Sequence, residues 1–173
     1  MSLVKMSLLH IAAGIIPIPL LFIGYMIFPS SDAINFFYSI AEGYARSVSD
    51  TYYIPSTIAS VWIKLGPLFA ILTFLIGHER FKIQLKENIT SKSIIFGVLA
   101  LSCFIVFEVF IAYFGMQSMS SSWHVLQVVA GSISLLCIYY MLCFIAYYFI
   151  GWLPCLYISA IINTIKKRNS VVR

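Results

Sequence analysis

Runs of twenty or more mostly apolar positions recur along this chain, separated by short polar stretches. The first covers about residues 8–28 and contains Pro17 and Pro19, which withdraw backbone donors and predict a kink inside a helix. Pro29-Ser30-Ser31-Asp32 ends it. A second run, about 57–77, holds Lys64, Gly66 and Pro67, and a third, about 93–114, holds Glu108. The last run, about 125–163, exceeds the ~20 residues of one crossing. Its simplest division is a span over 125–150, ending near Gly151 and Pro154, followed by a helix lying along the membrane interface.

Between the first two runs the pattern changes. Ile34, Phe37, Tyr38, Ala41 and Tyr44 recur at helical spacing, with Asp32, Glu42, Arg46 and Asp50 among them. That predicts an amphipathic helix on the outer membrane surface, serving either as an interfacial connector or as a partner-binding surface.

Composition turns this pattern into a class. The chain is 61% hydrophobic and 10% charged, more apolar surface than a soluble domain of 173 residues can bury. The expectation is one all-α membrane domain over 1–173 with four transmembrane helices. Charge then sets orientation. Lys5, Arg80, Lys82, Lys86, Lys92, Lys166, Lys167, Arg168 and Arg173 fall on one side of the spans and Arg46 on the other. By the positive-inside rule, both termini are cytoplasmic and the protein is a multi-pass resident of a bacterial inner membrane. Trp62 and Trp123 then mark the outer interface and Trp152 the inner one. Lys5 is a thin basic region before an apolar run too long for a usual signal peptide, so the first run reads as an uncleaved span. The net charge of +5 is explained by topology and anionic lipid, with no direct nucleic-acid contact expected.

Catalytic signals are missing. Cys103, Cys137, Cys143 and Cys155 all lie in apolar runs without a Cys-x-x-Cys, which argues for free thiols and against a membrane thiol oxidoreductase. His10, His78 and His124 are separated by whole spans, and no metalloprotease, nucleophile-elbow or phosphate-loop motif occurs. No enzyme activity, metal or cofactor is expected. Tyr139, Tyr140, Tyr147, Tyr148 and Phe149 read as helix packing and interfacial anchoring. Ala130-Gly131-Ser132 with Ser134 offers a small-residue face for a neighbouring helix, within the bundle or in a homo-oligomer.

The two ionisable side chains inside spans, Lys64 and Glu108, are costly there by a few kcal/mol. Each lies about six residues from the outer end of its run, roughly 9 Å deep at 1.5 Å per residue. Consecutive spans are antiparallel neighbours, so the spacing predicts a Lys64–Glu108 ion pair. It pins helix register or contributes to partner recognition; alternatively Lys64 snorkels outward while Glu108 is protonated.

The layout resembles the immunity proteins of pore-forming colicins of the A and B type, small basic four-span inner-membrane proteins with both ends inside. The contact points are Gly14-Ile15-Ile16-Pro17, Pro29, Lys64-x-x-Pro67, Ile54-Pro55-Ser56, Pro154 and Lys166-Lys167-Arg168. The chain departs from that family at Gly115–Trp123, which lacks its Thr-Thr-Ala-Gly run. The resemblance implies a non-catalytic module that binds the helical hairpin of a colicin in the membrane and blocks channel opening. Lys64, Glu108 and the segment from Asp32 to Asp50 would take part. In layout alone the chain also resembles the membrane subunit KwaA of the Kiwa anti-phage system. That implies a sensor or anchor docking a cytoplasmic effector through Arg80, Lys82, Lys86, Lys92, Lys166, Lys167 and Arg168. A third expectation is a small channel, holin or transporter with Lys64 and Glu108 lining a wet path.

Overall fold

The computed structural model describes the backbone of residues 3–44, 47–77, 91–114 and 117–171, with all side chains there except those of 91–94, 108, 111–114, 117 and 165–171. These residues are almost wholly helical. In chain order they form α1 (Leu3–Ile15), α2 (Pro17–Ile27), α3 (Asp32–Ala41), β1 (Ser47–Val48), α4 (Tyr53–Trp62), α5 (Gly66–Gly77), α6 (Ser91–Phe114), β2 (Gln117–Ser118), α7 (His124–Ala130) and α8 (Ile133–Val171).

Three helical stretches are long and apolar enough to cross a membrane: Leu3–Ile27, Tyr53–Gly77 and Ile133–Thr164. At 25 residues, the first two reach about 38 Å, enough for a hydrocarbon core of ~30 Å. Helix α6 has 24 residues, of which the described apolar part is Ile95–Phe107.

Proline chemistry shapes the first two crossings as the sequence suggests. Pro17 opens α2, where its missing N–H would in any case lack a helical partner, and Ile16 N still reaches Ala12 O at 2.9 Å. In the second crossing, Pro67 cannot donate to the carbonyl four residues back, that of Ile63. Gly66 N takes that carbonyl instead, and residues Ile63–Leu65 tighten into a 3₁₀ turn. The crossing also begins at Tyr53, four residues before the expected start, because Pro55 falls in the first turn of α4, where helices tolerate proline.

The last apolar run divides differently from expectation. Its break comes early, at Gly131–Ser132, where α7 stops and α8 begins. Beyond that, α8 continues for 39 residues straight through Gly151 and Pro154. The expected division into a span over 125–150 and a separate C-terminal interfacial helix is therefore corrected. One missing donor at Pro154 does not break a helix held on both sides by packing, and the small-residue run Ala130-Gly131-Ser132 is a helix end, not a helix face.

Helices α5 and α8 form the main contact of the bundle. They meet almost backbone to backbone. A side-chain carbon on Gly151 would lie 2.6 Å from Pro67 Cα, and one on Gly66 would lie 2.9 Å from Tyr148 N. Small residues allow this approach, and dispersion contacts hold helices together where lipid removes the hydrophobic driving force. Tyr148 and Phe144, both fully buried, fill the space beside the glycines, and Thr73 Oγ1 shares a buried hydrogen bond of 2.9 Å with the Tyr148 hydroxyl. The first crossing docks on this pair through α1, while Ile18 and Phe22 of α2 join the core with Ala59, Ile63 and Tyr140, and Trp62 Nε1 donates to Gly14 O at 2.7 Å. Trp62, expected at a membrane interface, thus serves as a clamp between helices, whereas Trp123 is 85% exposed.

The glycine contact gives a direct test. Gly151→Leu should lower stability in detergent by about 1–3 kcal/mol, the usual penalty of overpacking a filled core. Gly24→Leu, where an added Cβ meets nothing within 4 Å, should leave the midpoint of thermal unfolding nearly unchanged. Equal effects of the two changes would contradict the close approach.

Candidate functional site

The chain folds back into itself at the end of the bundle remote from the N-terminus. There β1 and β2, each of two residues, pair in parallel with Ser47 opposite Gln117 and Val48 opposite Ser118. Met119 N extends the ladder to Val48 O at 3.1 Å, and Asp50 N donates to Ser120 Oγ at 3.0 Å. Two connections far apart in sequence are thereby joined into one cap.

Hydroxyl groups fasten the cap to the helices beneath. Ser49 is completely buried; its Oγ donates to Ala130 O at 2.7 Å, the last carbonyl of α7, and accepts from Tyr52 N at 3.2 Å. Ser49 N donates to Ser56 Oγ at 3.0 Å, and Ser56 Oγ in turn donates to Tyr53 O at 3.0 Å. From α8, the Tyr140 hydroxyl donates to Ser47 O and lies 3.9 Å from Met119 Sδ. These bonds satisfy loop groups that are shut away from water and would otherwise cost about 1–3 kcal/mol each.

Lys64 belongs to this seam. It is 7% exposed, sits in the 3₁₀ turn, and sends Nζ back up to Tyr44 O at 2.7 Å. Its four-carbon stem carries the ammonium toward the capped end, as a snorkelling lysine does. Ser56, Ser60 and Lys64 recur every four residues and so share one face of the second crossing. All three are buried, as is Thr57 beside them. Ser60 Oγ donates to Thr57 O at 2.9 Å. The Thr57 hydroxyl itself has no hydrogen-bond partner.

The other expected site residues scatter. The side chain of Glu108, predicted to pair with Lys64, lies outside the described residues. So do Arg46, Arg80, Lys82 and Lys86 and the side chains of Lys92, Lys166, Lys167 and Arg168, although the last four sit on helices α6 and α8. Asp32, Glu42 and Asp50 are exposed around the cap. Of the expected face of α3, Ile34 and Ala41 are buried. The Tyr38 hydroxyl donates to Glu42 Oε1 at 2.7 Å, and that hydrogen bond to a carboxylate pushes the phenol up to about 12. Because the folded value lies above the ordinary 10, any stabilisation from this bond is complete below pH 10 and fades between 10 and about 12.

Sequence reasoning missed Ser49, Thr57 and Ser60; it named Tyr140 only for helix packing and anchoring and Ser56 only within Ile54-Pro55-Ser56, and assigned neither to the cap. The four-residue recurrence of Ser56, Ser60 and Lys64 was the available signal. His10 Nδ1 is 3.0 Å from Met6 O within its own helix, and His124 is exposed at the start of α7. Among the described residues no group of three His, Cys, Asp or Glu side chains could hold a metal ion. What the arrangement supplies chemically is fixed hydroxyls and one ammonium, suited to anchoring and recognition. No protein-family model, curated protein or solved structure matches the chain.

Two substitutions separate bonded from orphaned hydroxyls. Ser49→Ala strands Tyr52 N and Ala130 O and should cost about 1–3 kcal/mol in detergent unfolding. Thr57→Val removes a hydroxyl that bonds to nothing while keeping its shape, and should be neutral or stabilising. The reverse order would refute this description of the seam.

Proposed function

We propose that this chain is a non-catalytic immunity protein of a bacterial inner membrane, which binds the helical hairpin of a pore-forming colicin within the bilayer and blocks channel opening. The observation that carries the reading is α6. Val98, Leu99, Phe104, Ile105, Val106 and Phe107 are 37–68% exposed and point in all directions around the helix. Described contact with the bundle occurs near its start, where Gly97 faces the Tyr157 hydroxyl. Most of the described side chains of this helix are therefore exposed to whatever shares the bilayer. An apolar hairpin that enters alongside can pack against it through the contacts that drive helix association in lipid.

In this reading there are four spans, both termini are cytoplasmic and the cap faces the periplasm, from which the toxin arrives. Lys64 and Glu108 form an intramembrane pair that sets the register of the second and third spans or meets a polar group of the hairpin. Asp32, Glu42 and Asp50 border the entry side.

A second reading, a membrane anchor for a cytoplasmic defence effector, draws on α8. Its 39 residues reach about 58 Å, well beyond a hydrocarbon core of ~30 Å. The surplus carries Lys166, Lys167 and Arg168 on a helix that extends past the membrane, a basic strut to which an acidic partner surface could dock.

Sensitive cells expressing the protein should survive at least one pore-forming colicin of the A or B group while remaining sensitive to the nuclease colicins. Phe107→Ala should lower the tolerated dose by about tenfold, as a loss of ~1.4 kcal/mol in binding would. Killing by every pore-forming colicin would remove the first reading. Co-purification of a soluble partner that is lost when Lys166, Lys167 and Arg168 are changed to Glu would establish the second.

A further inference from the structure

A groove of about 450 Å³ lies between α2 and α3, with α4 as its floor. Pro17, Leu21 and Gly24 form one wall, Ile34 and Phe37 the other, and Ile58 and Ala59 the base. It arises because α2 and α3 each pack on α4 more extensively than on one another. Its volume falls in the range of pockets that hold small-molecule ligands, ~300–1,000 Å³. Nearly all of its lining is apolar, and that lining runs from Pro17, at the start of α2, to Ser31 and Ala33, where α3 begins.

Geometry and charge together select the occupant. A slot that begins inside a crossing and ends at a surface helix meets lipid tails at one end and headgroups at the other. A phospholipid has that same order of parts. At the α3 end of the lining, Asp32 lies in sequence between the lining residues Ser31 and Ala33 and is exposed. Of the described cations, Lys64 is buried under the cap and Lys5 belongs to the far end of the first crossing. The local charge therefore disfavours an anionic headgroup and favours one carrying a primary ammonium, which offers both positive charge and N–H donors.

We propose that this groove is a binding site for one phosphatidylethanolamine molecule. One acyl chain lies along Pro17, Leu21, Gly24 and Ala59, and the ammonium pairs with Asp32. The bound lipid fills the gap between the first crossing and the surface helix, and so fixes α3 at its height in the bilayer. The site rests on the membrane location of the chain and is independent of which partner the protein recognises.

The test uses the full-length protein in detergent, offered equal amounts of phosphatidylethanolamine, phosphatidylglycerol and phosphatidylcholine with identical acyl chains. Native mass spectrometry then counts retained lipids. One phosphatidylethanolamine should be retained, with a preference of about two- to fivefold over each competitor, the range an exposed ion pair supplies. Asp32→Asn should keep one lipid and lose the preference. Gly24→Phe should abolish retention of all three, since Gly24 lines the groove and an added Cβ there meets no protein atom within 4 Å. Ala33→Phe, blocking the mouth, gives a second route to the same loss should Gly24→Phe fail to fold. Equal retention of all headgroups by the unaltered protein, preference for phosphatidylglycerol, or lipid retention unchanged in a folded groove-filling variant would overturn the proposal. Recovery of the protein from the soluble fraction without detergent would instead overturn the membrane reading itself.

Discussion

Shutting backbone polar groups away from water forces a partner on each of them, and the capped end of this molecule is organised by that requirement. The chain from Ser47 to Tyr52 anchors the cap through Ser49, which is completely buried between half-buried and exposed neighbours. Its donors and acceptors are met by Ser56, Tyr140, Ala130, Ser120 and the short ladder with Gln117–Ser118. In hydrocarbon or tightly packed protein, each missing bond would be expensive, so few arrangements of this loop are tolerated. Loop, second crossing and α8 consequently hold one another in place. Close approach of α5 and α8 at Gly66 and Gly151 brings Tyr140 and Tyr148 into range, which links helix packing directly to the geometry of the cap.

This division of labour fits a recognition module. A fixed cap, a buried ammonium directed toward it, and a third long helix with most of its described apolar surface uncovered leave binding to exposed helix faces and order to the polar seam. In the lipid-binding proposal, the groove beside α3 would let the bilayer contribute to that order. The seam and the groove meet on α4, where Ser56 and the groove-lining Ala59, three residues apart, are neighbours on the helix surface.

Much of the frame was legible in the sequence because lipid demands long apolar runs and leaves little ambiguity about them. The helical stretches through residues 8–28 and 57–77, the disturbance at Pro17, and a helix after it with Ile34 and Ala41 turned inward all follow from periodicity and proline chemistry. The ends were harder. Pro55 suggested a boundary but lies in a first turn, where it costs nothing, and Pro154 suggested a stop but is carried by its packed neighbours. Gly131 was the true break, masked by the apolar residues on both sides. The seam was less legible because Ser and Thr hardly depress hydropathy, so Ser56 and Ser60 disappear into an apolar run while Lys64 stands out alone. The pairing of Ser47–Val48 with Gln117–Ser118 joins two dipeptides some 70 residues apart, and nothing local announces it.

Hydrogen exchange on the segment from Ser47 to Tyr53, followed by mass spectrometry on the protein in lipid nanodiscs, addresses the cap most directly. The amides of Ser49, Asp50 and Tyr52 each donate to a hydroxyl, so the peptide should exchange as slowly as peptides from the interior of the crossings. Exchange at the rate of an unstructured peptide would show that the loop is not bonded into the bundle, and the account of the capped end would fail.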